Sequence, residues 1–208
     1  MENLKYDKIL NFKSRDEKIK YGILFGNEKI VFIKSGAPKD IVEDEGKIES
    51  KYVDKYLIMA HRVHARMGAT VICASNCDLD GNIQLKADKA LIEKIISNRG
   101  FEDYELYFVG NSDGGEHSLK LAQQFPETVT FFGINSSWSD MDIFLERIQS
   151  IPHVKKIFVY GEKDVDFHDI APKLKEIACD NLKIAVLGGV DHDFTGRVDE
   201  FIDLIDLL

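Results

Sequence analysis

Basic clusters, long apolar runs and paired cysteines are all scarce in this chain, and each shortage removes a class of function. Its 208 residues carry a formal net charge of -9. No Lys/Arg block is longer than Lys155-Lys156, so there is no electrostatic footprint for nucleic acid or an anionic membrane surface. Small molecules or proteins are the expected partners. Apolar stretches are no longer than single buried strands, well short of the roughly 20 residues of a transmembrane helix, so no membrane span is expected. The amino-terminal segment, charged throughout, has no apolar core ahead of a small-residue cleavage site, so no secretory signal is read and a cytoplasmic location is expected. Cys73, Cys77 and Cys179 are an odd number, which argues against a disulfide framework and fits a reducing compartment. Only 4 prolines punctuate a composition that is 44% hydrophobic and 30% charged, ordinary for a globular chain and consistent with one domain over residues 1–208.

What is present is alternation. Short β-branched or aromatic runs predict strands at 19–25, 29–34, 69–74, 105–109, 129–134, 156–160 and 182–187. Between them, helical spacing predicts helices near 50–67, 87–98, 114–125, 140–149, 170–178 and 197–207. The clearest places Tyr56, Leu57, Ala60, Val63 and Met67 on one face. Such alternation implies an α/β fold, a mostly parallel central sheet with helices on both faces. Gly26-Asn27 leaves little room between the first two runs, which predicts an antiparallel hairpin there.

Tyr107-Phe108-Val109 ends a strand run, and Gly110-Asn111-Ser112-Asp113-Gly114 follows it into a helix. This is G-x-S-x-G in the context a nucleophile elbow requires. Gly110 and Gly114 remove the β-carbons that would collide where strand meets helix, so Ser112 Oγ projects into the crevice. The Asp113 N–H, in the first helical turn, is placed to stabilise an oxyanion. A Gly-rich turn that binds phosphate, or merely turns, reads equally well from the motif alone.

A serine nucleophile on such a sheet calls for an acid and then a histidine, each on a loop after a later strand. Gly161-Glu162-Lys163-Asp164 follows one strand and offers Asp164 as the acid, with Glu162 and Asp166 as alternatives. Gly188-Gly189-Val190-Asp191-His192-Asp193-Phe194 follows the next and offers His192 as the base. Of the other five histidines His117 is the rival, one turn into the helix after Ser112, although a helical position makes its approach to Oγ awkward. The second oxyanion donor is expected in Ser35-Gly36-Ala37-Pro38. Pro38 has no N–H, leaving Ala37 as the donor, though the same tetrapeptide also makes an ordinary surface turn.

With these residues in place, the chain resembles the α/β-hydrolase superfamily from about Lys20 to its carboxyl terminus. The resemblance implies a Ser112-Asp164-His192 triad and cleavage of an ester or thioester of a small neutral acyl substrate through a Ser112 acyl-enzyme. It departs from the family in having Ser35-Gly36 where His-Gly is common, and in having only residues 135–140 where many members insert a helical lid. The expected pocket is therefore shallow and open. Trp138 is placed either as a wall of it or as core packing. The alternative is a non-catalytic protein of the same fold that binds a ligand or a partner. No cofactor and no metal are expected: Cys73 and Cys77 lack zinc spacing, and Asp78-Leu79-Asp80-Gly81-Asn82 lacks the closing glutamate of a calcium loop. Asp113, Asp140, Asp191 and Asp193 are expected around the crevice mouth, disfavouring anionic substrates.

Overall fold

In the computed structural model, which describes residues 4–14, 17–36, 41–42, 51–77, 80–177 and 181–208, the apolar runs become the strands of one sheet. They are β1 (Lys8–Ser14), β2 (Glu17–Leu24), β3 (Asn27–Lys34), β4 (Ala69–Ala74), β5 (Glu105–Asn111), β6 (Thr128–Ile134), β7 (Lys155–Gly161) and β8 (Leu182–Leu187). Their spatial order is β1-β2-β4-β3-β5-β6-β7-β8. All pairings from β4 through β8 are parallel, and β1 and β2 are added antiparallel at one edge. The helices are α1 (Lys51–Met67), α2 (Gly81–Arg99), α3 (Asp113–Ala122), α4 (Met141–Ser150), α5 (Phe167–Glu176) and α6 (Val198–Asp203), the last running into a 3-10 turn at Leu204–Leu207. Among the described residues no helix is long and apolar enough to cross a membrane.

Both faces of the sheet are covered, which the period of two in the central strands requires. Along β3, Ile30 and Phe32 face the core built with α2 to α5, represented by Ile92, Leu119, Phe144 and Leu174. Val31 and Ile33 face the opposite core with Met59 and Ala60 of α1 and Phe201 of α6. Each fully buried aromatic or aliphatic side chain here contributes on the order of 2 kcal/mol. Phe32 and Phe108 on adjacent strands, ring centroids 6.0 Å apart, add cross-strand aromatic contact.

Two expectations need correction. The strands at either end of Gly26-Asn27 do not form a hairpin, because β4 lies between them. The short connection instead straps the start of β4. Gly26 N–H donates to Thr70 Oγ1 at 3.0 Å, Asn27 N–H to the Gly68 carbonyl at 2.7 Å, and Asn27 Nδ2 to the Met67 carbonyl at 3.0 Å. A β-carbon on Gly26 would stand 2.1 Å from the Gly68 carbonyl oxygen, so only glycine passes there. The hairpin partner of β2 is β1, a strand whose lysines and half-exposed Phe12 give it the polar alternation of a sheet edge. The second correction is the start of α2. It begins at Gly81, where Asp80 caps it by accepting from Asn82 N–H at 2.8 Å, and the left-handed Gly100 closes it.

Because β3 and β5 to β8 run in one direction, their carboxyl ends and the loops that follow them gather along one edge. That edge is where ligands bind in open parallel sheets.

Candidate active site

Ser112 follows β5 in a conformation that serine rarely adopts, φ 53° and ψ -129°. Such a backbone costs of order 1–3 kcal/mol and persists only where its surroundings enforce it. Here the Ser112 N–H donates to the Ile134 carbonyl at the end of β6 at 3.0 Å, and the Ser112 carbonyl accepts from Gly115 N–H at 2.8 Å and from Ser137 N–H at 3.2 Å. The turn is tight because glycines let backbones touch. A β-carbon on Gly110 would lie 2.4 Å from the Gly114 carbonyl oxygen, and one on Gly114 would lie 2.3 Å from the Ser35 carbonyl oxygen. Sharp strand-to-helix reversal thus brings the start of α3 against the loop after β3.

Oγ of Ser112 lies 2.9 Å from His192 Nε2, and His192 Nδ1 lies 2.8 Å from Asp164 Oδ2. Asp164 is fully buried. Its second oxygen accepts from the Asp166 N–H at 2.8 Å. An ionised carboxylate only accepts, so the imidazole donates through Nδ1–H and turns the Nε2 lone pair toward the serine hydroxyl. The hydrogen bond to Asp164 raises the His192 pKa above its ordinary value, and partial burial opposes that rise without cancelling it. The other two carboxylates of this loop are engaged elsewhere. Asp166 accepts from Ser137 Oγ at 2.6 Å, and Glu162 accepts from Gly189 N–H at 2.8 Å. Among the described residues, the cluster of Asp164, Asp166 and His192 is the one grouping with the donor spacing to hold a cation, and two of its members are spent on this hydrogen-bonded chain.

His117, the rival base, is bonded to Asp88 instead, Nε2 to Oδ2 at 2.7 Å. Asp88 and Lys34 are fully buried and 3.2 Å apart. Lys34 Nζ also donates to the Ser75 carbonyl and to Gln84 Oε1, and Tyr21 OH donates to Asp88 at 2.6 Å. Burial pushes the Asp88 carboxyl up, but Lys34 and then His117 outweigh it and hold it below its ordinary value. This network joins the end of β3, the body of α2 and the first turn of α3, and no short motif announces it.

Asn135 also carries no motif. It follows β6 at φ 42°, in the left-handed region that asparagine tolerates. Its fully buried amide donates to the carbonyls of Asp191 and His192 at 3.2 and 2.8 Å, and accepts from Gly161 N–H at 2.8 Å. Two carbonyls and one N–H leave a single orientation for the amide. One side chain therefore ties the histidine loop to the turn that carries the acid. A polar residue just beyond a buried strand at this edge was the available signal.

Of the oxyanion candidates, Asp113 N–H is the first amide of α3 and has no preceding helical turn to bond. Ala37 lies outside the described residues. Its neighbour Gly36 packs on Ser112 so closely that a β-carbon there would stand 2.6 Å from Ser112 Cβ. Trp138 stacks on Phe144, centroids 3.6 Å apart, and meets Phe131 and Phe158, so core packing is the one of its two readings that these contacts display.

No protein-family model matches the chain, and no curated protein matches it in sequence. Solved structures do match in shape. A protein of unknown function from Agrobacterium tumefaciens, described as a candidate α/β hydrolase, superposes with a TM-score of 0.71 at 16% identity, covering 96% of this chain and 94% of that one. An α/β serine hydrolase homologue from Coxiella burnetii gives 0.68 at 14% identity, with 96% of each chain covered. A lidless α/β serine hydrolase from Xanthomonas campestris gives 0.64 at 15% identity, covering 96% and 92%. With its strand order, its strand-to-helix elbow and these full-length superpositions, the chain has the α/β-hydrolase fold.

Proposed function

We propose that this protein is a serine hydrolase that cleaves an ester or thioester of a small, neutral acyl substrate. The observation that carries the reading is the unbroken hydrogen-bonded chain from buried Asp164 through His192 to Ser112 Oγ, at 2.8 and 2.9 Å. Its three members come from loops after β7, β8 and β5, so local sequence alone does not account for their meeting.

In the proposed reaction Ser112 Oγ bonds to the acyl carbon while its proton passes to His192 Nε2. Negative charge moves onto the carbonyl oxygen, where Asp113 N–H and the loop after β3 would receive it. Buried Asp164 stabilises the imidazolium that forms. Collapse of the tetrahedral species breaks the bond to the leaving group, which takes the proton from His192. Water then enters, gives a proton to Nε2 and attacks the acyl-serine, and Ser112 recovers its proton as the acid departs. The short connections after β6 and β7, residues 135–140 and 162–166, fit a small substrate.

A panel of p-nitrophenyl esters of increasing acyl length tests the proposal, together with labelling by a fluorophosphonate. Hydrolysis and labelling should both be present in the wild type and absent in Ser112→Ala. A wild type that is inactive on the whole panel and unlabelled would leave a ligand-binding protein of hydrolase fold.

A further inference from the structure

Next to the nucleophile the surface opens into a cleft of about 290 Å³, at the small end of ligand sites. It lies between the first turns of α2 and α3, and Asp113, the residue after Ser112, forms part of its wall. Asn76, also on the wall, donates from Nδ2 to the Gly36 carbonyl at 2.6 Å. Gly36 in turn packs on Ser112. The cleft therefore adjoins the reacting serine on its proposed oxyanion side.

Its polar groups specify what can bind. Lys120 Nζ is engaged by Glu116 at 2.6 Å, and the other Glu116 oxygen accepts from Ser139, so this pair offers no surplus charge. Asp113 leaves the lining with one negative charge, which disfavours an anion. Gln84 is occupied by Lys34 and by the Cys77 carbonyl. His117 is different. Its side chain is only 12% exposed, yet it lines the cleft, and its Nε2 is fixed on Asp88. Burial lowers its pKa below the ordinary value, with the bond to Asp88 only partly offsetting this. With Nε2–H donating to Asp88, the neutral form of the ring carries its lone pair on Nδ1 as an acceptor. The Asn82 carboxamide at the exposed mouth and the Asn76 Oδ1 complete a set able to accept and to donate. A hydroxyl group, donor and acceptor at once, complements such a set, and a carboxylate or phosphate does not.

We infer that this cleft binds a neutral, hydroxyl-rich group, a polyol or a small sugar, as the polar part of the ester that Ser112 cleaves. The assignment rests on the serine-hydrolase reading for the word ester, but not for the binding itself. His117 is then a specificity-determining residue that presents an acceptor to a substrate hydroxyl.

The test is a titration of the full-length protein, followed by amide chemical shifts, with methyl glucoside and glycerol against methylamine and acetate. Saturable shifts at Asn82 and around His117 are expected with the polyols alone. Loss of one hydrogen bond should weaken binding about tenfold in His117→Phe. Asn82→Leu, a change on an exposed helix surface, should weaken it similarly and carries the test if His117→Phe does not fold. Absence of saturable shifts, a preference for methylamine or acetate, or equal affinity in the variants would overturn the inference. Fluorophosphonate labelling of Ser112 keeps the two readings apart. Labelling without polyol binding refutes the cleft assignment alone, while polyol binding without labelling refutes the hydrolase reading and keeps the ligand site.

Discussion

Replacing Asn135 by glycine isolates the contribution of one amide to the whole of the proposed catalytic edge. Glycine accepts φ 42° without strain, so the perturbation is confined to the side chain. Three hydrogen bonds disappear, those to the carbonyls of Asp191 and His192 and the one from Gly161 N–H. The bond from Gly161 matters most for stability, because both partners are buried and the N–H is left without an acceptor. Its loss costs about 1–3 kcal/mol, and the two carbonyls, closer to solvent, add about 1 kcal/mol together. The sum, about 2–4 kcal/mol, is smaller than the total of about 5–15 kcal/mol expected for a domain, so the variant should fold. Activity should fall further than stability implies. With the His192 carbonyl released, the imidazole drifts from Ser112 and Asp164, and a displacement near 1 Å costs about 100-fold in kcat. Weakening the bond to Asp164 also removes what raises the His192 pKa, so the acid limb of kcat/KM should move down toward 6.5. Urea unfolding followed by Trp138 fluorescence gives the stability, and p-nitrophenyl ester kinetics between pH 5 and 9 give the rest. A variant that is destabilised but keeps wild-type kcat and an unmoved acid limb would refute the positioning role.

Other outcomes follow from the same geometry. In the wild type, kcat/KM should rise with pH through a midpoint above 6.5, since the base is active when neutral and the bond to Asp164 holds it protonated longer. The same bond stabilises the fold fully below the unfolded-state pKa, and that contribution fades as pH rises through the folded-state value. Asp164→Asn should move the midpoint down and cut kcat by about four orders of magnitude, measured on the same esters. Lys34→Met should lower stability by about 3–5 kcal/mol by removing the cation that compensates the buried Asp88 carboxylate, which keeps only its bonds to Tyr21 and His117, and Lys34→Met with Asp88→Leu should restore part of it, as read by urea titration. Gly114→Ala forces a β-carbon to within 2.3 Å of the Ser35 carbonyl oxygen. It should cost about 1–3 kcal/mol and slow fluorophosphonate labelling, because the walls proposed for the oxyanion must part.

The elbow residues and the acid and histidine loops could be read from the sequence because each sits at a short, fixed offset from a buried strand, and strand ends are what hydrophobic runs mark best. Ser112, Asp164 and His192 are singled out by that local context together with the chain order of a triad and the family resemblance, with Glu162, Asp166 and His117 as the alternatives. Asn135 and the Lys34-Asp88-His117 network depend on which distant segments become neighbours, and a residue string does not display that. The same limit produced the mistaken hairpin. A short Gly-Asn connector reads as a turn between partners, whereas β4, with all six residues buried, is inserted between β2 and β3. The edge strand β1 escaped notice because its lysines and its mixed faces carry little apolar signal, and the first turn of α2 because Asn82 and Gln84 look like loop residues until Asp80 caps them.

Eighty positions separate the two partners of the Ser112–His192 hydrogen bond. On a chain emerging from synthesis, β5 and the elbow are complete long before β8 and the loop after it exist. Until those last segments dock along the edge of the sheet, Ser112 lacks the partner proposed as its base. On the proposed reading, the order in which the polypeptide is made withholds reactivity until the last strand and its loop are in place.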